Sequence, residues 1–289
     1  MIEVIAPGPY ATVQDLGRPG YAHLGVPHSG AADAPSLRLA NRLVGNPEGA
    51  AGIELTFGGA ALRFVTGAWV AVTGADCPLV VAVRGRSLPR GMRAPFWVAA
   101  GGELRVAIPA AGLRTYVAVR GGLDTPVVLG SRSTDSLCGL GPPVLRAGAV
   151  LPVGPVHDLP PLTVDAAPPA APPDVLWALP GPRDDWFVPG ALAGLCAQPY
   201  RVSQDSNRVG VRLNGPRLER ARDAELPSEG VVAGAVQVPP DGQPILFLAD
   251  HPPTGGYPVI AVLTSAALAA AAQLRPGDPV RFRLRRPAP

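Results

Sequence analysis

The sequence predicts a mainly β protein built in two halves, and three observations carry this. Short apolar or alternating runs recur at regular spacing, turn residues separate them, and a Pro- and Ala-rich stretch interrupts the pattern near the middle. Of the 289 residues, 35 are Gly and 37 are Pro, a turn-rich composition. A hydrophobic share of 47% argues against disorder and for a buried core.

In the first half the runs are residues 61–65, 69–73, 79–83, 96–99, 104–108 and 115–120, separated by TGA, TGAD, AAGGE and RGG turns. In the second they are 175–179, 200–203, 234–238, 245–248, 259–262 and 280–284. Strands this short suggest a barrel or sandwich. Arg281, Arg283 and Arg285 alternate with apolar residues and mark the solvent face of the last strand. One helix is expected after Asp33, an N-cap residue with Pro35 in the first turn. Leu37, Leu39, Ala40, Leu43 and Val44 line one face of it, and Gly45 ends it. A second is expected over 265–274, with Ser265 as cap and RPGD closing it. Residues 154–174 read as a linker, which divides the chain into domains 1–153 and 175–289.

Composition excludes several functions. Net charge is +3 and dispersed, without a basic face interleaved with aromatics, so nucleic-acid binding is not expected. All 25 basic residues are arginine. A chain without lysine carries no biotin, forms no lysine Schiff base and has no Walker A lysine. Cys77, Cys138 and Cys196 are odd in number and lack a C-x-x-C, which supports neither a disulfide framework nor a zinc site. His23, His28, His157 and His251 form no H-x-x-H pattern, so no metal is expected. No signal-peptide pattern and no apolar run of about 18 residues is present, and a cytoplasmic protein without membrane partners is expected.

Four polar stretches are candidates for chemistry. The first, TVQDLGRPGYAHLGVPHSGAADAPS, contains His28 and Ser29, but adjacent residues of an extended segment face opposite ways and do not make a Ser–His pair. The second is GSRSTD, in which Ser131, Arg132, Ser133 and Thr134 suit an anion or simply end a strand. In the third, VSQDSNRVGV, Gln204, Asp205, Asn207 and Arg208 make either a ligand-reading loop or a polar hairpin with an Asx turn. In the fourth, Glu229 and Gln237 are polar points in apolar surroundings, and Thr254-Gly255-Gly256-Tyr257 is either an anion cradle or a hairpin tip.

Together and in this order, these stretches resemble the family variously called allophanate hydrolase subunit 2, biotin-dependent carboxyltransferase family protein, or the C-type subunit of 5-oxoprolinase. The resemblance covers almost the whole chain; His251-Pro252-Pro253 before TGGY departs from it. It implies two cyclophilin-like β-barrel domains, each with a short helix. It also implies a sister protein resembling allophanate hydrolase subunit 1, the B-type subunit of 5-oxoprolinase, with an A-type subunit as a further partner. The implied reaction is ATP-dependent opening of 5-oxo-L-proline to L-glutamate, active only with partner subunits and with ATP as co-substrate. The alternatives are a carboxyltransferase module using carboxybiotin supplied in trans, or a non-enzymatic regulator that binds its sister subunit.

For that lactam opening, an anionic oxygen needs cations and N–H donors, and a carboxylate must orient groups or water. Arg208, Gln204, Asn207 and the backbone of Thr254, Gly255 and Gly256 are expected to supply the first set, beside Tyr257 and Gln237. Asp205 or Glu229 supplies the carboxylate. Ser29 and Gly30 are expected to line the same pocket, and Asp33 is read first as a plain helix cap.

Overall fold

The computed structural model describes residues 1–163, 165–169, 175–222 and 224–285. Of the expected linker, positions 164 and 170–174 lie outside the described residues. The chain forms two compact units. One comprises Met1–Arg18, Ser29–Asp135 and the described residues from 139 to 169. The other comprises the described residues from 175 onward together with Pro19–His28 and Ser136–Cys138.

The first unit holds two antiparallel sheets. In spatial order one contains Val150–Leu151, Ile2–Ala6, Ala60–Phe64, Glu103–Val106, Leu79–Val83 and Arg86–Arg90. The other contains Tyr10–Gln14, Gly52–Thr56, Arg114–Val119, Ala68–Gly74 and Phe96–Val98. Both sheets contribute to one core, including Val4, Leu62 and Phe64 from the first and Val13, Ile53, Val72 and Val117 from the second. All six residues of Arg114–Val119 are buried, because each face of this strand has a cover. Val117 and Val119 face the shared core, whereas Tyr116 and Ala118 pack with helix residues Leu37, Ala40 and Leu43.

That helix is Ala34–Leu43, and its N-cap is Asp33, whose carboxylate accepts from the Ser36 N–H at 3.1 Å. Tyr116 ties its start to the sheet. The hydroxyl accepts from the Asp33 N–H and donates to Glu54 Oε2, both at 2.8 Å, and Glu54 Oε2 also accepts from the Ala32 N–H at 3.0 Å. Burial, then the Glu54 charge, raises the Tyr116 phenol well above its ordinary pKa, so the hydroxyl stays protonated as a donor.

The second unit has an eight-stranded sheet. Its order is Pro279–Val280, Tyr200–Val202, Gly210–Asn214, Ile245–Phe247, Ala235–Gln237, Val259–Leu263, Leu176–Pro180, Phe282–Leu284. The end strands are separated in sequence by Arg281 alone, so the sheet nearly closes on itself. Val280 pairs with Tyr200 and Phe282 with Leu176. Leu195, Leu213, Val236, Leu246, Ile260 and Phe282 are among the side chains that fill the interior. Arg281, Arg283 and Arg285 are exposed, as expected.

The mainly β, barrel-like fold follows the sequence expectation; details differ. The C-terminal helix is Ser265–Ala271, and its cap is Thr264 rather than Ser265, because the Thr264 hydroxyl accepts from the Ala267 N–H. The helix Ala191–Ala197 and the strands Ile2–Ala6, Tyr10–Gln14, Gly52–Thr56 and Gly210–Asn214 add to the elements expected from the sequence. In two of those strands the reason is visible. Thr12, Gln14 and Glu54 are polar yet buried, so the apolar pattern breaks where the strand does not.

Removing the Tyr116 hydroxyl tests the helix anchor. Tyr116→Phe leaves the buried Glu54 carboxylate and the Asp33 N–H each short of a partner, and the expected loss is about 1–3 kcal/mol of unfolding free energy. Chemical denaturation of both proteins measures it; a change within noise would show the anchor to be dispensable.

Candidate functional site

The first and second polar stretches meet inside the first unit. Asp15, 9% exposed, is their centre. Its Oδ1 accepts from the Gly17 N–H at 2.8 Å, the Ser131 hydroxyl at 2.6 Å and the Ser133 hydroxyl, and its Oδ2 accepts from the Arg132 N–H at 2.6 Å. The anion that GSRSTD suits is therefore the protein's own Asp15. Arg18, fully buried, donates to the carbonyls of Ser133 and Val128 and faces Asp135 at 4.0 Å. Ser29 adopts φ 57°, and its hydroxyl donates to the Thr134 carbonyl at 3.1 Å. Gly30 has φ 89°, and a Cβ there would stand 2.7 Å from the Gly17 nitrogen, so close backbone approach requires glycine. Ser29 and Gly30 thus belong to this network of the first unit.

The third stretch is a hairpin tip. Asn207 Oδ1 accepts from the Val209 and Gly210 N–H groups at 2.8 and 3.2 Å, an Asx turn. Gln204 and Asp205 are exposed, and Asp205 bonds to the neighbouring Ser203. Arg208 turns inward instead. Its Nε and Nη2 donate to the two oxygens of Asp250 at 3.0 and 3.1 Å, with the Asp250 side chain 0% exposed. Ser136 completes the group by donating its N–H and its hydroxyl to Asp250 Oδ2. The fork expected to meet a ligand anion therefore meets Asp250. Beside it, His251 is buried against Phe247, with Nδ1 2.8 Å from the Pro252 carbonyl oxygen. Burial first, and the nearby His28 as a lesser cause, lower its pKa, so it is neutral at pH 7.

The fourth stretch gathers into a site. Glu229–Gly230 and Thr254–Gly255 pair as a two-stranded ribbon separate from the barrel sheet, with Glu229 opposite Gly255. Gln237, buried in its strand, donates from Nε2 to the Tyr257 carbonyl at 2.8 Å. A Cβ on Gly255 would stand 2.7 Å from that Nε2, so the glycine makes room for the amide. Tyr257 is 44% exposed. Glu229, Gln237, Thr254, Gly255, Gly256 and Tyr257, each singled out in the sequence, are thus brought together.

Two arginines complete the site, and neither is distinguished in the sequence. Arg183 grips Glu229 with Nε 2.9 Å from each carboxylate oxygen and with Nη2 on Oε1. Its loop is pinned to strand Val259–Leu263, since the Gly181 N–H reaches the Ile260 carbonyl at 2.8 Å and the Arg183 N–H the Val259 carbonyl at 3.2 Å. A Cβ on Gly181 would lie 2.2 Å from the Val259 oxygen, so only glycine fits there. Arg220 places its guanidinium 5.7 Å from the Tyr257 ring centroid and donates from Nη2 to the Val238 carbonyl. The hydrogen bonds from Arg183 hold the Glu229 carboxyl below its usual range, and the same contact raises Arg183. The site therefore presents an ionised carboxylate and two guanidinium groups.

Gly255 is held in strand pairing opposite a carboxylate, which opposes a phosphate cradle at Thr254–Gly256. Among the described residues, no group of three or more His, Cys, Asp or Glu suits a metal, and no helix is long and apolar enough to cross a membrane.

The chain matches the family described as "Carboxyltransferase domain, subdomain A and B" over residues 24–284. It is 39% identical to the C-type subunit of Escherichia coli 5-oxoprolinase, covering 98% of this chain and 90% of that one. It is 37% identical to urea amidolyase of Lachancea kluyveri over 97% of this chain but 17% of the relative. The crystal structure of Kluyveromyces lactis urea carboxylase superposes with a TM-score of 0.89 at 33% identity, over 97% of this chain and 27% of that chain. The chain is therefore nearly co-extensive with the first and matches a small part of the other two.

The Arg183–Glu229 pair makes a pH prediction. A depressed carboxyl keeps its pairing energy above its unfolded pKa and loses it as pH falls through the lower folded value. Arg183→Gln should return Glu229 to the ordinary carboxylate range, measured by carbon-detected NMR titration of the side chain. An unchanged titration would assign the shift to some other group.

Proposed function

The chain belongs to the carboxyltransferase-domain family, subdomains A and B, and on that premise we propose that it is the C-type subunit of an ATP-dependent 5-oxoprolinase. In this reading it opens 5-oxo-L-proline to L-glutamate in the cytoplasm, and only with a B-type sister subunit and an A-type subunit. The observation that carries the reading is co-extension: the likeness to the C-type chain of Escherichia coli 5-oxoprolinase runs over nearly the full length of both.

The residues take parts consistent with lactam opening. Glu229, ionised and reachable from solvent, orients the attacking water or the ring amide, and Arg183 sets its angle and charge. Gln237 and the tight Gly255 fix the ribbon on which Thr254, Gly256 and Tyr257 meet the substrate. Arg208 acts through Asp250, positioning the segment that leads into Thr254. Asp205, Gln204 and Asn207 form an exposed hairpin tip suited to contact with substrate or a partner protein. In this reading ATP is handled by a partner subunit.

A second reading has its own support. The likeness to urea amidolyase and urea carboxylase favours carboxyl transfer, with carboxybiotin supplied in trans to this lysine-free chain. A purely regulatory role toward the sister subunit is the non-enzymatic counterpart, marked by tight binding without turnover.

Reconstitution separates these. The chain mixed with its B- and A-type partners should form glutamate from 5-oxoproline and ATP, and omission of the chain should abolish it. Glu229→Gln should lower kcat by about 100-fold, within the span of general acid–base contributions. Absence of glutamate together with carboxylation of urea from carboxybiotin would transfer the assignment to the second reading.

A further inference from the structure

We propose that Arg220 is a carboxylate-binding residue, taking the acid group of a small cyclic-amide substrate on the free side of its guanidinium beside Tyr257. This rests on the lactam reading above and names what selects the substrate.

Four packed arginines of this protein each face an acid. Arg18 faces Asp135, Arg114 faces Glu54, Arg183 holds Glu229 and Arg208 holds Asp250. Arg120 lacks an acidic partner but spends its fork on the carbonyls of Val44, Leu159 and Pro160. Arg220 differs. Among the described residues its side chain has no salt bridge, and its one hydrogen bond runs from Nη2 to the Val238 carbonyl. Its Nε is buried without an acceptor, as is the Nη1 of Arg18, which has Asp135 beside it. A buried donor without a partner is costly, and each such group in a native protein calls for an explanation, of which a bound water or ion is one. Nη1 of Arg220 is left uncommitted.

The setting favours an anion. Burial is the main influence on Arg220 and lowers its pKa, while Tyr257 and Asp241 oppose it. The exposed Tyr257 ring lies over the guanidinium and leaves its edge for a planar carboxylate. Val238 follows Gln237, whose amide fixes the Tyr257 backbone, so Arg220 and the Glu229 ribbon share one scaffold. The backbone of Arg220 is bridged to Phe187, just beyond the short helical turn Asp184–Trp186 that follows Arg183. A guanidinium waiting for an acid suits 5-oxoproline, whose ring carries a carboxylate. Urea is uncharged and gives it nothing to bind.

Two measurements test this. In the reconstituted complex, Arg220→Gln should raise KM for 5-oxo-L-proline by about 30-fold, the loss of one charge-assisted contact, and Arg220→Lys, which keeps the charge but not the planar fork, by less, with kcat within about 3-fold in both. On the purified chain, ligand-observed NMR compares 5-oxo-L-proline with its uncharged analogue 2-pyrrolidinone. The wild type should prefer the acid, and Arg220→Gln should erase the preference while leaving 2-pyrrolidinone binding intact. Tyr257→Leu, which keeps the cation, should weaken the acid a few-fold and guards against a folding artefact. An acid preference that survives Arg220→Gln in a folded protein overturns the proposal. An Arg220-dependent preference in a complex that forms no glutamate keeps the anion site and removes the proposed reaction instead.

Discussion

Three buried acids organise this protein, and each follows one rule: a carboxylate taken out of water must be given donors or a counter-charge. Asp15 collects four hydrogen bonds from Gly17, Ser131, Arg132 and Ser133. Glu54 collects Ala32, Tyr116 and the Arg114 guanidinium. Asp250 collects Arg208 and Ser136. In every case the donors come from segments far apart in the chain, so satisfying the acid also fixes which segments meet. Breaking one such buried pair typically costs about 3–5 kcal/mol, a large part of a domain's net stability.

This rule changes the meaning of the polar motifs. Density of Ser, Asp and Arg in QDLGR and SRSTD suggests ligand chemistry, yet the two segments are each other's ligands. Arg208 shows the same at the third motif, where Asp250 occupies both arms of its fork. The fourth motif behaves differently, because Glu229 and its arginine remain about a third exposed and so stay open to solvent.

What the sequence made legible follows from range. The helix Ala34–Leu43 was readable because Asp33, Pro35 and Gly45 act on neighbouring backbone groups. Strands with apolar interiors were readable; those carrying Thr12, Gln14 and Glu54 inward were not, since their polarity is satisfied only by tertiary partners. The run 280–284 looks like one strand and is two. The chain passes from pairing with Tyr200 to pairing with Leu176 at Arg281, a barrel closure that leaves no periodic mark. Glu229 and Thr254–Tyr257 stood out as polar points in apolar surroundings. Arg183 and Arg220 could not, because one arginine among 25 is distinguished only by what it faces.

The absence of lysine sharpens that last point into an argument about chemistry. With every basic side chain an arginine, this protein has no side-chain amine to act as nucleophile or to carry a carboxyl group, and no basic side chain that titrates near neutrality except histidine. His251, the buried one, is held neutral. What its arginines do well is hold planar anions in a fixed orientation and set the charge state of neighbouring carboxylates. The ribbon site combines both uses, with Arg183 holding Glu229 ionised and Arg220 making no salt bridge among the described residues. On the proposed reading, a site so built would orient and polarise a substrate rather than attack it covalently, and would leave the high-energy step to groups brought by a partner.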